Sequence, residues 1–91
     1  MAEAAKNLVP VTLELGGKSP VIVTPGSCTA KTLEAIIGTK MLKNGQMCVS
    51  TDYIYVHQDD VESFLSLAQA HVKEALGAYS AGPDCCGIIT E

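Results

Sequence analysis

Two short strand-like runs, the first of them β-branched throughout, each followed by a stretch of helical period, constrain this chain more than any other feature. Val21-Ile22-Val23 is a continuous apolar run, and such a run suits a strand covered on both faces. Pro25-Gly26 turns the chain after it. Residues 29–43 then read as a helix with Leu33, Ile36, Ile37 and Met41 on one face and Ser27 or Thr29 as N-cap. Asn44-Gly45 closes that helix. Residues 53–57 form the next strand, and Asp59 or Asp60 caps a second helix running to about Leu76, where Gly77 ends it. Strand, helix, strand, helix with connections of this length predicts a right-handed parallel crossover, so the fold class is α/β with a partial parallel-sheet βαβα unit.

Upstream, residues 2–8 read as the tail of a helix that Pro10 stops. Val9, Val11, Leu13 and Leu15 alternate with Pro10, Thr12 and Glu14, which is a strand period, and Gly16-Gly17 ends it. Two parallel strands make a poor sheet alone. Their sequences ask for neighbouring strands and for helices on both faces, so the chain reads as a piece of a larger α/β assembly.

Composition narrows the function classes. The chain has 91 residues, 47% hydrophobic and 18% charged, which is globular and not disordered. A chain this short buries only roughly 60–65% of its unfolded surface, so its core is thin. Six basic residues against ten acidic ones give a net charge of −4 with no basic cluster. Nucleic acid is not an expected partner. There is no apolar run long enough for a transmembrane helix, and residues 1–9 carry no leader pattern. Cys28, Cys48, Cys85 and Cys86 are read as thiols, since the chain is not loop-rich and has no C-x-x-C pair, and a cytoplasmic location is expected. His57 and His71 stand at no ligand spacing with any cysteine, so no metal site is expected.

Two stretches stand out as chemistry. In Val11 to Pro20 a carboxylate, Glu14, rides a strand edge and is followed by Gly16 and Gly17, which let backbone or ligand approach closely. In Gly45 to Ser50 a cysteine, Cys48, follows a helix end and a flexible turn just before a strand. Loops at strand ends of a rigid α/β scaffold are common places for catalytic groups. The bland alternatives are a solvated glutamate and a core-filling thiol. A rival Cys–His dyad is disfavoured, because the strand leading to His57 carries it away from Cys48 at about 3.3 Å per residue. A redox or metal module at the adjacent Cys85-Cys86 is a further alternative, weakened because adjacent cysteines make a strained disulfide.

Leu13 to Pro20 (LELGGKSP) and Gly45 to Ser50 (GQMCVS) resemble the two signature motifs of the NAD(P)-dependent aldehyde dehydrogenases, and the spacing from Glu14 to Cys48 is about that of the family. Asp52-Tyr53, and Pro83-Asp84 followed by Ile88-Ile89, resemble the branch acting on coniferyl-type and fatty aldehydes. The resemblance implies that Cys48 is the nucleophile, forming a thiohemiacetal and then a thioester, and that Glu14 activates the hydrolytic water. It implies that Glu14, Leu15, Gly16 and Cys48 meet the reacting end of NAD or NADP. It implies residues 1–18 as the end of the dinucleotide-binding domain and residues 19–91 as the start of the catalytic domain. It also implies a small-molecule aldehyde substrate and a homo-oligomeric full-length form. The family's dinucleotide-binding strands would lie outside this chain, so the isolated chain is expected to be inactive. A non-catalytic interaction or assembly module is the alternative. The sequence departs from the family's pattern at Lys43, where Asn is common, at Thr51, where the branch often has Pro, at Cys85, where an aromatic is usual, and at the Pro25 to Cys28 turn.

Overall fold

The computed structural model describes residues 1–79 and 86–88. The element order is α1 (Ala2–Lys6), β1 (Ser19–Val23), α2 (Ala30–Met41), β2 (Thr51–Val56) and α3 (Val61–Tyr79), with short 3₁₀ turns at Leu42–Gly45 and Gln58–Asp60. β1 and β2 pair in parallel as a two-stranded sheet, as the strand–helix–strand order requires. The register runs from Ser19 opposite Thr51 to Val23 opposite Val56, and slips between Ser19 and Pro20, where β2 carries the extra residue Asp52.

Local chemistry explains each boundary. Pro25 and Gly26, with Gly26 at φ 79°, make a tight turn closed by the Ser27 N–H donating to the Thr24 carbonyl at 3.0 Å. Thr29 is the N-cap of α2, its Oγ1 accepting from the Thr32 N–H at 3.2 Å. Thr32 Oγ1 in turn donates to the Ser27 carbonyl at 2.7 Å, tying the turn to the helix. The approach to α3 is a 3₁₀ turn capped by His57, with the Asp60 N–H donating to the His57 carbonyl at 2.9 Å.

The core is thin. Val23, Leu33 and Ile36 are the buried apolar residues among those described. α2 packs against both α3 and β2, presenting Leu33 and Ile36, with Ile37 and Met41 half-buried beside them. Along α3 the half-covered residues include Phe64, Leu67, Ala68, His71 and Val72, whereas Val61 and Leu65 are exposed.

Three expectations are corrected. The alternating stretch Val9 to Leu15 forms no strand; it is extended, exposed and unpaired with either described strand. A period of two makes a strand only where a neighbour completes the hydrogen-bond ladder. β1 is not covered on both faces: Val23 is buried while Ile22 is 69% exposed, because helices cover only one side of the sheet. α3 does not stop at Gly77 but continues to Tyr79, since a single glycine is tolerated in a helix and needs a left-handed turn to end one.

Candidate active-site cleft

Glu14 and Cys48 come together. Both line one cleft of about 410 Å³, with Leu15, Gly16 and Gly17 on one wall and Gly45, Gln46 and Met47 on the other. Neither side chain is buried. The cleft forms where the extended segment before β1 crosses the loop between α2 and β2. Parallel pairing sets that crossing, because it puts Ser19 and Thr51, the first residues of the two strands, side by side.

Gly17 is the tightest point of the crossing. A Cβ built on it would lie 2.8 Å from the Cys48 carbonyl oxygen, closer than such atoms approach in folded proteins. Only glycine lets the two segments meet at this distance. Gly16, by contrast, has open space around it.

The loop that carries Cys48 has an unusual backbone. Lys43 (φ 51°), Asn44 (φ 53°) and Gly45 (φ 75°) are three successive residues in the left-handed region. Asn and Gly adopt that region readily; lysine pays roughly 1–2 kcal/mol for it. At Gly45 a Cβ would make only ordinary contact with Lys40 and the Ser50 hydroxyl, at 3.4 and 3.5 Å, so it is the positive φ that favours glycine there. Ser50 is buried, and its Oγ has no hydrogen-bond partner among the described residues.

Residues 86–88 lie against this loop. Asn44 Nδ2 donates to the Cys86 carbonyl, and Gln46 Nε2 donates to the Gly87 carbonyl at 2.9 Å. The sequence placed Gln46 in a motif but gave no sign of a partner so far along the chain. Gly17 was likewise legible as a close-approach glycine, though not its contact with the Cys48 carbonyl.

The other candidates fall elsewhere. His57 is exposed beyond the far end of β2, with Nδ1 3.7 Å from Asp59. His71 lies on α3 and lines a small pocket between α2 and α3 with Leu33, Leu67 and Glu74. Neither histidine lines the Cys48 cleft. Cys28 and Cys48 are free thiols, Cys86 is exposed beside the Cys48 loop, and Cys85 lies outside the described residues. Among the described residues no group of three or more His, Cys, Asp or Glu side chains could hold a metal, and no helix is long and apolar enough to cross a membrane.

Known proteins match this arrangement. The sequence profile described as "Aldehyde dehydrogenase family" matches residues 1–83. A probable coniferyl aldehyde dehydrogenase of Caulobacter vibrioides is 43% identical over 91 residues, covering 100% of this chain and 19% of that protein. A coniferyl aldehyde dehydrogenase of a Pseudomonas species is 39% identical, covering 98% of this chain and 18% of that protein. The substrate-bound structure of Staphylococcus aureus AldH superposes with a TM-score of 0.78 at 36% identity, covering 98% of this chain and 20% of that one. The chain thus spans about a fifth of the length of the relatives it matches. With the family profile covering most of the chain and the same fold found in a solved relative, the chain belongs to the aldehyde dehydrogenase family.

Proposed function

We propose that this chain carries the nucleophile and the general base of an aldehyde-oxidising site, with Cys48 as nucleophile and Glu14 as base. The observation that carries the reading is the shared cleft: two groups far apart in sequence line one opening, and at Gly17 there is no room for a side chain beside the Cys48 carbonyl. The names of the relatives favour an aromatic, coniferyl-type aldehyde as substrate.

The chemistry follows from the two groups. The Cys48 thiolate adds to the aldehyde carbon, the carbonyl π bond opens onto oxygen, and a proton completes the thiohemiacetal. Conversion to the thioester removes a hydride from that carbon and gives up the hydroxyl proton to solvent as the C=O bond re-forms, and no described residue accepts the hydride. Glu14 then takes a proton from water as the water oxygen attacks the thioester carbonyl. The C–S bond breaks, releasing a carboxylic acid and restoring the thiol.

Members of the aldehyde dehydrogenase family use NAD(P) as the hydride acceptor. The described residues do not make a dinucleotide site. The turn between β1 and α2 holds one glycine, Gly26, in place of a glycine-rich phosphate loop, and the approach to α3 carries Asp59 and Asp60, which repel a pyrophosphate. The chain's own residues account for the two steps on sulfur and for none of the dinucleotide binding. The 91-residue chain alone is therefore expected to oxidise no aldehyde with NAD or NADP.

The test uses the steps that need no hydride acceptor. Peptide-mapped alkylation of the chain should modify Cys48 faster than Cys28, Cys85 and Cys86. Acetyl transfer from p-nitrophenyl acetate should label Cys48, and Glu14→Gln should slow loss of that label by about 10²-fold or more, the usual contribution of a general base. Equal alkylation rates at all four cysteines, or deacylation indifferent to Glu14→Gln, would sink the assignment.

A further inference from the structure

Gln46 stands two residues before Cys48, and its side-chain amide makes two hydrogen bonds at once. Nε2 donates to the Lys43 carbonyl at 3.0 Å and to the Gly87 carbonyl at 2.9 Å. A primary amide nitrogen has two hydrogens, so each carbonyl can take one. Asn44 Nδ2 donates to the Cys86 carbonyl beside it. Two side chains of one loop thus hold two successive carbonyls of a segment 41 and 42 residues further along.

That loop is the one that needs holding. Lys43, Asn44 and Gly45 are all left-handed, and a run of such residues persists only where surrounding contacts over-determine it. The Gln46 main-chain N–H closes the turn onto the Lys43 carbonyl at 3.1 Å. The Gln46 side chain reaches the same carbonyl and extends the tie to Gly87. Met47 and Cys48 follow directly, with Gly17 against the Cys48 carbonyl on the opposite side.

We infer that Gln46, seconded by Asn44, is a positioning residue for Cys48: it pins the left-handed turn to the backbone of residues 86–87 and thereby fixes where the thiol stands in the cleft. The inference rests on the reading of Cys48 as nucleophile. Gln46 acts on the loop's geometry and needs no contact with the reacting atoms.

The experiment compares the full 91-residue chain with Gln46→Glu, which keeps the size of the side chain but removes its donors. Asn44→Gly is the second variant. It removes the other donor while leaving a residue at ease at positive φ, so it serves if Gln46→Glu does not fold. Amide hydrogen exchange is read at residues 45–48 and 86–88, and iodoacetamide alkylation is read as the ratio of Cys48 to Cys28 within the same molecule. Asn44→Gly should speed exchange in both segments by about fivefold, the worth of one hydrogen bond, and Gln46→Glu, which loses two, by about fivefold or more. The alkylation ratio should fall by a comparable factor, while exchange in α2 stays unchanged. Unaltered exchange in either segment overturns the inference. So does faster exchange with an unaltered ratio, because the tie would then hold residues 86–88 without positioning the thiol. A wild-type Cys48 no faster than Cys28 counts against the catalytic assignment, and the tie is then judged by whether the ratio shifts between wild type and variant.

Discussion

Gly17 and Lys43 show how single residues decide the geometry of the cleft. Gly17→Ala places a methyl 2.8 Å from the Cys48 carbonyl oxygen, so one of the two crossing segments must move. The expected result is a loss of about 1–3 kcal/mol in urea unfolding, as for other overpacked contacts, together with slower alkylation of Cys48. Unchanged stability and reactivity would mean that the crossing is loose. Lys43→Asn replaces a strained left-handed lysine by a residue that tolerates the conformation. It should raise the urea midpoint by an amount equivalent to about 0.5–1 kcal/mol without changing the slope. Ser50 hides a hydroxyl with no partner among the described residues, a burden of about 1–3 kcal/mol, so Ser50→Ala should stabilise rather than weaken the chain, as read by its urea midpoint.

At the scale of elements, α2 organises the molecule. Its N-terminus is set by Thr29 and the Pro25-Gly26 turn, its inner face by Leu33 and Ile36, and its C-terminus delivers the loop bearing Cys48. Leu33 is 0% exposed, the largest fully buried side chain among the described residues. Leu33→Ala should cost about 2–5 kcal/mol. In so thin a core that is enough to abolish a cooperative urea transition, and a variant that still unfolds cooperatively near the wild-type midpoint would show that stability lies elsewhere. The face of α2 was legible as i, i+3, i+4 spacing, β1 as a β-branched run and β2 as a short run of tyrosines and β-branched residues, because these signals are local. The failure at Val9 to Leu15 has the complementary reason. Its alternation is as clear as that of any strand, but a ladder needs a second set of backbone groups, and neither described strand supplies one.

Across the whole molecule, accessible area is out of proportion to mass. The surface is 7101 Å², whereas a folded monomer of 9.5 kDa exposes about 5,000 Å². The radius of gyration is 17.8 Å against about 12 Å for a compact domain of this length. The excess exceeds the roughly 800 Å² that each partner contributes to a standard protein interface. Much of it is apolar: Val9, Val11, Leu13 and Leu15 on the extended segment, and Ile22, Tyr53 and Tyr55 on the open face of the sheet. Exposed apolar side chains gathered on one segment and one sheet face drive association. The chain should therefore sediment faster as its concentration rises, and Leu13→Lys with Ile22→Lys should reduce that dependence. A monomeric sedimentation coefficient at every concentration would refute the expectation.

The sequence by itself determined the α/β order, the parallel crossover, the helix faces and the residue types of the two motifs, because periodicity, turn chemistry and motif identity are properties of neighbours along the chain. Tertiary structure alone decided that Glu14 and Cys48 share a cleft, that Gly17 touches the Cys48 carbonyl, that Gln46 reaches Gly87, and that one face of the sheet stays open. These are contacts between segments distant in sequence. Their distances are set by how strands pair and helices pack, and no local pattern encodes them.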